Sequence, residues 1–153
     1  MEVRVFWIGK TRLPGVAELT GEYSRRLTRY CEFSGEEVRP AKRKSGASGG
    51  ESKEEAAMLA RSAGSLRVAL DTTGREWRSE EFAGFFQGLQ QRGTRAVTFC
   101  VGGADGFSTE FKRQADLLVS FSRMTMPHEL ARVVLLEQIY RAFTLLAGHP
   151  YPR

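Results

Sequence analysis

The sequence predicts an α/β sandwich built on a mostly parallel sheet, folded as one domain of 153 residues. Three observations carry that expectation. Short apolar runs alternate with segments of helical periodicity from end to end, the pattern of strands joined by crossover helices. No linker or repeat divides the chain, and 41% hydrophobic residues with ten phenylalanines are enough for one core. The last predicted helix is apolar on almost every face, as a helix buried on all sides would be.

Val3, Val5 and Trp7 alternate with Arg4 and Phe6 and stop at Gly9 and Lys10, which gives a first strand closed by a turn. From Val16 to Tyr30, Val16, Leu19, Tyr23, Leu27 and Tyr30 recur at spacings of three and four, so this segment is an amphipathic helix. Its basic edge is Arg25, Arg26 and Arg29, placed where the helix dipole favours cations. A short strand around Glu36–Val38 precedes the one long loop, Pro40 to Gly50, which carries Lys42, Arg43 and Lys44 among small residues. Glu51 to Ala63 reads as a helix, and Leu66–Leu70 as a buried strand ended by Asp71-Thr-Thr-Gly74. Ser79 is placed to cap a helix with Phe82, Phe85, Phe86 and Leu89 inward. Ala96–Val101 is the strongest strand and runs into Gly102-Gly-Ala-Asp-Gly106, after which Ser108 caps a short helix. Leu117–Phe121 is the last strand, Ser122 to Pro127 a loop, and His128 to Leu146 the final helix.

Twenty-three Lys and Arg against eighteen Asp and Glu leave a net charge of +5, which favours an anionic partner such as nucleic acid. Two cysteines and two widely spaced histidines fit neither a disulfide scaffold nor a zinc motif, so no metal is expected. No run approaches the roughly twenty apolar residues of a membrane span, and the N-terminus does not read as a signal peptide. A cytoplasmic protein without a membrane partner is expected.

In open parallel sheets, ligands bind outside the carboxyl ends of the strands. Three such ends carry unusual loops here: Leu70-Asp-Thr-Thr-Gly74, Gly102-Gly-Ala-Asp-Gly106, and Phe121-Ser-Arg-Met-Thr-Met-Pro127. Glycines there either turn the chain or let its backbone approach an adenine or ribose closely. No G-x-G-x-x-G follows the first strand, no phosphate loop occurs, and no G-x-S-x-G elbow is present, which weakens NAD, ATP and hydrolase readings. In the last helix His128 and Arg132 share one face and Glu137 and Arg141 another. Either Glu137–Arg141 pins the helix as an i,i+4 pair and His128 caps its start, or Arg132 or Arg141 meets a phosphate or nucleobase. The apolar remainder of that helix predicts a homodimer, since one chain has little left to cover it. The tail Gly148-His-Pro-Tyr-Pro-Arg153 places Tyr151 to stack on a base and Arg153 to meet a phosphate.

Gly102-Gly-Ala-Asp-Gly-Phe-Ser108, Met124-Thr-Met-Pro-His128, the run from Arg132 to Ala142 and the ending His149-Pro-Tyr151 resemble one family. It is the RlmH type of ribosomal RNA large-subunit methyltransferase, of the SPOUT class. The resemblance runs nearly end to end: it includes Ile8-Gly-Lys10, Glu22-Tyr23, Pro40-Ala-Lys-Arg43, Leu70-Asp71 with Gly74, and Ser79-x-Glu-Phe82. It implies an α/β fold with a C-terminal trefoil knot, use of S-adenosylmethionine, and methylation of N3 of a pseudouridine in 23S rRNA on assembled ribosomes. A homodimer follows from it, with the ribosome as partner and no DNA.

Matched by motif, the cofactor positions are Leu70, Gly102, Gly103, Phe121, Ser122, Arg123, Met124, Thr125 and Met126. His128, Arg132, Arg141, Tyr151 and Arg153 match polar positions near the substrate base, and Arg25, Arg26, Arg29, Lys42, Arg43 and Lys44 are the candidate rRNA contacts. The family's usual ending is His-Pro-Tyr-His-Arg, whereas Pro152 replaces the second histidine here. That departure leaves room for two other readings on the same fold: an RNA-binding or ribosome-assembly protein with lost turnover, or a methyltransferase acting on another RNA such as tRNA.

Overall fold

The computed structural model describes residues 1–39 and 52–151, and its elements follow the alternation read from the sequence. In chain order they are β1 (Glu2–Ile8), α1 (Pro14–Leu27), β2 (Glu32–Val38), α2 (Lys53–Arg61), β3 (Leu66–Glu76), α3 (Ser79–Gln91), β4 (Ala96–Val101), α4 (Thr109–Gln114), β5 (Leu117–Ser120) and α5 (His128–Leu146). The five strands form one sheet in the order β2-β1-β4-β3-β5, and every pairing is parallel. A parallel sheet needs both faces covered, and the period-2 alternation supplies an apolar set to each. Val3, Val5, Trp7, Val97, Phe99, Val101, Val68 and Val119 face the larger core, packed by Leu27 of α1, Phe82, Phe86 and Leu89 of α3, and Leu135, Leu136 and Ile139 of α5. Phe6, Ala69 and Cys100 face a smaller core with Met58 of α2 and Phe107 and Phe111 beside α4.

Several boundaries differ from the sequence reading, each for a local reason. Helix α1 starts at Pro14 and ends at Leu27 rather than running from Val16 to Tyr30. Past Leu27 the amides of both Tyr30 and Cys31 return to the Leu27 carbonyl, at 2.9 and 3.1 Å, and the Tyr30 ring turns onto Tyr140 of α5. Arg29 therefore lies in a turn beyond the helix. Strand β2 begins at Glu32, four residues before the expected Glu36, because its whole length pairs in register with β1. Ser52 caps α2, receiving the Glu55 amide at 3.2 Å, so that helix begins after the expected Glu51, which lies outside the described residues. Ser79 is the first residue of α3 rather than its cap, and its hydroxyl donates to Gln138 of α5 at 2.9 Å.

The largest difference is in β3. Asp71-Thr-Thr-Gly74 does not end the strand: Leu70 and Arg75 both pair with Val119, so residues 71–74 form an excursion within a strand that continues to Glu76. Helix α5 is not buried on all sides within one chain, which leaves the uncovered apolar remainder expected of it. Leu130 and Leu145 remain 47% and 46% exposed, and Leu13 and Leu19 on and before α1 are exposed as well.

Candidate functional site

The ends of β3, β4 and β5 meet the start of α5 in a cleft of about 340 Å³. Its lining includes Leu70, Gly102, Gly103, Phe121, Ser122, Met124, Thr125 and Met126, so the three loops singled out from the sequence form one site. Arg123, the ninth cofactor position expected there, points away: its side chain is almost fully exposed and its Nε lies 3.7 Å from Glu76. The wall is built from backbone. The Gly106 amide donates to the Gly103 carbonyl at 3.0 Å, and Gly106 adopts φ +69°, a conformation glycine takes without strain. On the opposite side the Ser120 hydroxyl donates to the Ser122 carbonyl at 2.9 Å, and the Ser122 hydroxyl receives the Met124 amide at 2.9 Å. A cleft of glycine loops, hydroxyls and apolar side chains such as Leu70, Phe121 and Met126 suits a planar, hydrogen-bonding ligand such as a nucleoside.

Charge enters the cleft in a small number of places. Asp71 and Lys112 both line it and form an ion pair, Nζ to Oδ2, at 3.1 Å. Burial pushes the Asp71 carboxyl up, but the Thr73 hydroxyl and amide and the Lys112 ammonium outweigh it and hold the group below its ordinary range. Asp71 belongs to a loop singled out from the sequence but was given no role of its own, and Lys112 was not singled out. The available signal was spacing: Lys112 lies four residues after the cap Ser108, hence on the face of α4 that looks back to the glycine loop.

Of the residues expected near the substrate, His128 lines the cleft as the first residue of α5, where Pro127 holds the cap position. Arg132, one turn further, does not reach it. It is fully buried, its guanidinium 4.4 Å from the centre of the Trp7 ring and donating to the Thr11 hydroxyl. Burial pushes this guanidinium below its ordinary value, and Nε and Nη2 have no hydrogen-bond partner among the described residues. In the single chain Arg132 thus lies outside the cleft, packed between Trp7 and Thr11. Glu129 was also missed; its carboxylate receives the amides of Arg12 and Leu13 and ties α5 to the approach to α1.

Arg141 and Tyr151 lie at the other end of α5. The i,i+4 pair is present, Arg141 Nη2 to Glu137 at 2.6 Å, and the same guanidinium sits 4.6 Å from the centre of the Tyr151 ring. The tail reaches that position because Gly148, at φ +67°, ends the helix with the His149 amide returned to the Thr144 carbonyl at 2.9 Å. Tyr151 packs edge-on against Tyr140 at 5.0 Å, and its hydroxyl lies 3.4 Å from that of Tyr23. Burial first, and then the Tyr23 hydroxyl, push the Tyr151 phenol up. His149 shares a 2.7 Å hydrogen bond with the Tyr30 hydroxyl. Arg26 adjoins this aromatic group, 5.6 Å from the Tyr23 and Tyr140 rings, while it and Arg25 both pair with Glu22. Lys42, Arg43, Lys44 and Arg153 lie outside the described residues.

Thirteen residues of helix separate His128 from Arg141, about 20 Å at 1.5 Å per residue. Group transfer needs reacting atoms roughly 3 Å apart. One chain thus carries a ligand cleft and an aromatic, basic cluster at opposite ends of α5 and does not bring them together.

Comparison with known proteins places the chain. The family model described as Predicted SPOUT methyltransferase matches residues 1–152. Ribosomal RNA large subunit methyltransferase H of Koribacter versatilis (strain Ellin345) is 39% identical over 155 residues, covering 99% of this chain and 97% of that protein. The fold is similar to that of the tRNA (m1G37) methyltransferase from Aquifex aeolicus, at a TM-score of 0.57 and 12% identity over 100% of this chain and 75% of that one. It is also similar to a Legionella pneumophila protein solved with the bound cofactor SAM, at a TM-score of 0.53 and 14% identity over 93% and 66% of the two chains.

Proposed function

Because the chain belongs to the SPOUT methyltransferase family, we propose that it moves the methyl group of S-adenosylmethionine to N3 of a pseudouridine in the 23S rRNA of assembled ribosomes, acting as a cytoplasmic homodimer. The observation that carries this reading is the convergence of Leu70, Gly102, Gly103 and residues 121–126, apart from Arg123, on one cleft at the strand ends. That cleft holds the donor. The bond from sulfur to the methyl carbon breaks as the bond from N3 forms, the sulfonium becomes a neutral thioether, and the N3 proton leaves to His128 or to water. In-line placement supplies much of the rate.

The acceptor is placed by the cluster of Arg141 and Tyr151 on a second copy of the chain, and Arg153 is a further contact expected to position it. In a twofold dimer with the α5 helices antiparallel, the C-terminal end of one helix lies beside the N-terminal end of the other. The exposed Leu13, Leu19, Leu130 and Leu145 supply the apolar surface for such a contact. Arg25, Arg26, Arg29 and the run Lys42 to Lys44 meet rRNA phosphates, a term that needs no base geometry.

Incubation of the purified protein with labelled S-adenosylmethionine and intact ribosomes lacking the modification, beside free rRNA and bulk tRNA, tests the substrate. Label is expected in ribosomes alone. Label in tRNA with none in ribosomes would move the enzyme to another RNA, and no label anywhere with the donor still bound would leave a binding protein, with Pro152→His the first change to make.

A further inference from the structure

We infer that Asp71 and Lys112 together recognise the ribose diol of the methyl donor; this rests on the reading of the cleft as the donor site. Both side chains line the cleft, 12% and 28% exposed, and they pair with each other at 3.1 Å. Asp71 Oδ1 is occupied by the Thr73 amide at 2.9 Å and by the Thr73 hydroxyl, and Oδ2 by Lys112. A carboxylate accepts about four hydrogen bonds and an ammonium donates three. Among the described residues, acceptor capacity thus remains on Oδ2 and donors remain on Nζ.

The chemistry of the pair selects the part of the donor that fits it. S-Adenosylmethionine offers an adenine edge, a vicinal diol, a carboxylate, an ammonium and a sulfonium. A carboxylate drawn to Lys112 would meet the Asp71 charge at close range, and an ammonium drawn to Asp71 would meet Lys112; like charges so placed repel. A hydroxyl is neutral, donating to Oδ2 and accepting from Nζ while the pair stays intact. The pair is also held in place on both sides. Asp71 lies in the 71–74 excursion pinned against β5, and Lys112 stands on a helix whose cap, Ser108, is fixed through its amide and hydroxyl to the buried Glu55 at 2.7 Å each.

Calorimetric dissociation constants for S-adenosylhomocysteine, its 2′-deoxy and 3′-deoxy forms, and 5′-methylthioadenosine test the assignment in the native protein, Asp71→Asn and Lys112→Met. The native protein is expected to bind at least one deoxy form about tenfold more weakly than the parent, the size of one hydrogen bond to a charged group. Both variants are expected to lose that discrimination, and to weaken S-adenosylhomocysteine and 5′-methylthioadenosine by the same factor, since both keep the diol. Each ratio is internal to one protein, so a partly folded sample does not imitate the result. Discrimination unchanged in both variants, or absent from the native protein, would overturn the inference. A variant that weakens S-adenosylhomocysteine and spares 5′-methylthioadenosine would move the pair to the amino-acid arm. Failure of the native protein to bind any of the four would instead remove the donor-cleft reading itself.

Discussion

Alanine at position 74 is expected to lower the stability of the fold sharply while leaving most of the chain folded in the absence of denaturant. A Cβ added to Gly74 would lie 2.5 Å from the Val119 amide nitrogen and 2.6 Å from the carbonyl carbons of Leu118 and Val119. Those atoms are backbone of β5, paired to β3 on both sides of the excursion, and they cannot rotate away as a side chain could. Overpacking a core with one methyl group commonly costs about 1–3 kcal/mol, and a clash with two paired strands lies at or beyond the upper end. A loss of about 3 kcal/mol or more, against a domain stability of roughly 5–15 kcal/mol, is the expectation for chemical denaturation. A Gly74→Ala protein with the native midpoint would show that β3 and β5 do not approach as described.

Gly102→Val is expected to keep the fold and abolish donor binding. The Cβ there would sit 3.3 Å from the Gly106 carbonyl carbon, and a branched side chain needs more room than that contact leaves. The turn from Gly103 to Gly106 would then shift into the cleft it borders. A loss of at least about a hundredfold in affinity for S-adenosylhomocysteine, roughly 2.7 kcal/mol, is expected with the melting temperature little changed. Gly84→Ala on α3 is the control: a Cβ there meets nothing within 4 Å and the residue is outside the cleft lining, so binding should hardly change. Equal losses from both substitutions would mean that the glycine loop does not shape the site.

The sequence is most informative where periodicity is strong. Strand β4, buried at every position, and the alternation in β1 appear in it directly, and so do the three loops of the cleft, because strand ends and glycine-rich turns are local features. The second half of β3 does not. Asp71-Thr-Thr-Gly-Arg-Glu76 has no apolar alternation, and the strand resumes after the excursion only where Arg75 and Glu76 pair with β5, more than 40 residues away in the chain. Nor does the strand order, which puts β3 between β4 and β5.

Arg132 shows what a local reading of charge leaves out. A cation inside an apolar helix reads as a ligand contact, yet its partner is the face of Trp7, on the first strand. The site residues at the far end of α5 are legible as residue types but not as a place. The spacing of His128 and Arg141 on one helix already sets them about 20 Å apart, but it does not say what brings the two ends together.

The central claim is that a working site takes its donor cleft from one copy and its acceptor cluster from another. Gly102→Val, which loses the cleft, and Arg141→Ala, which alters the cluster, should each be inactive alone in transferring label to ribosomes. Co-expressed with different tags and purified as the mixed dimer, they should recover one intact site in two, about half the native rate per dimer. Recovery near that value would place the two halves of the site on different chains. A mixed dimer as inactive as its parents, with one cleft still binding S-adenosylhomocysteine, would contradict the account and put both halves on the same chain.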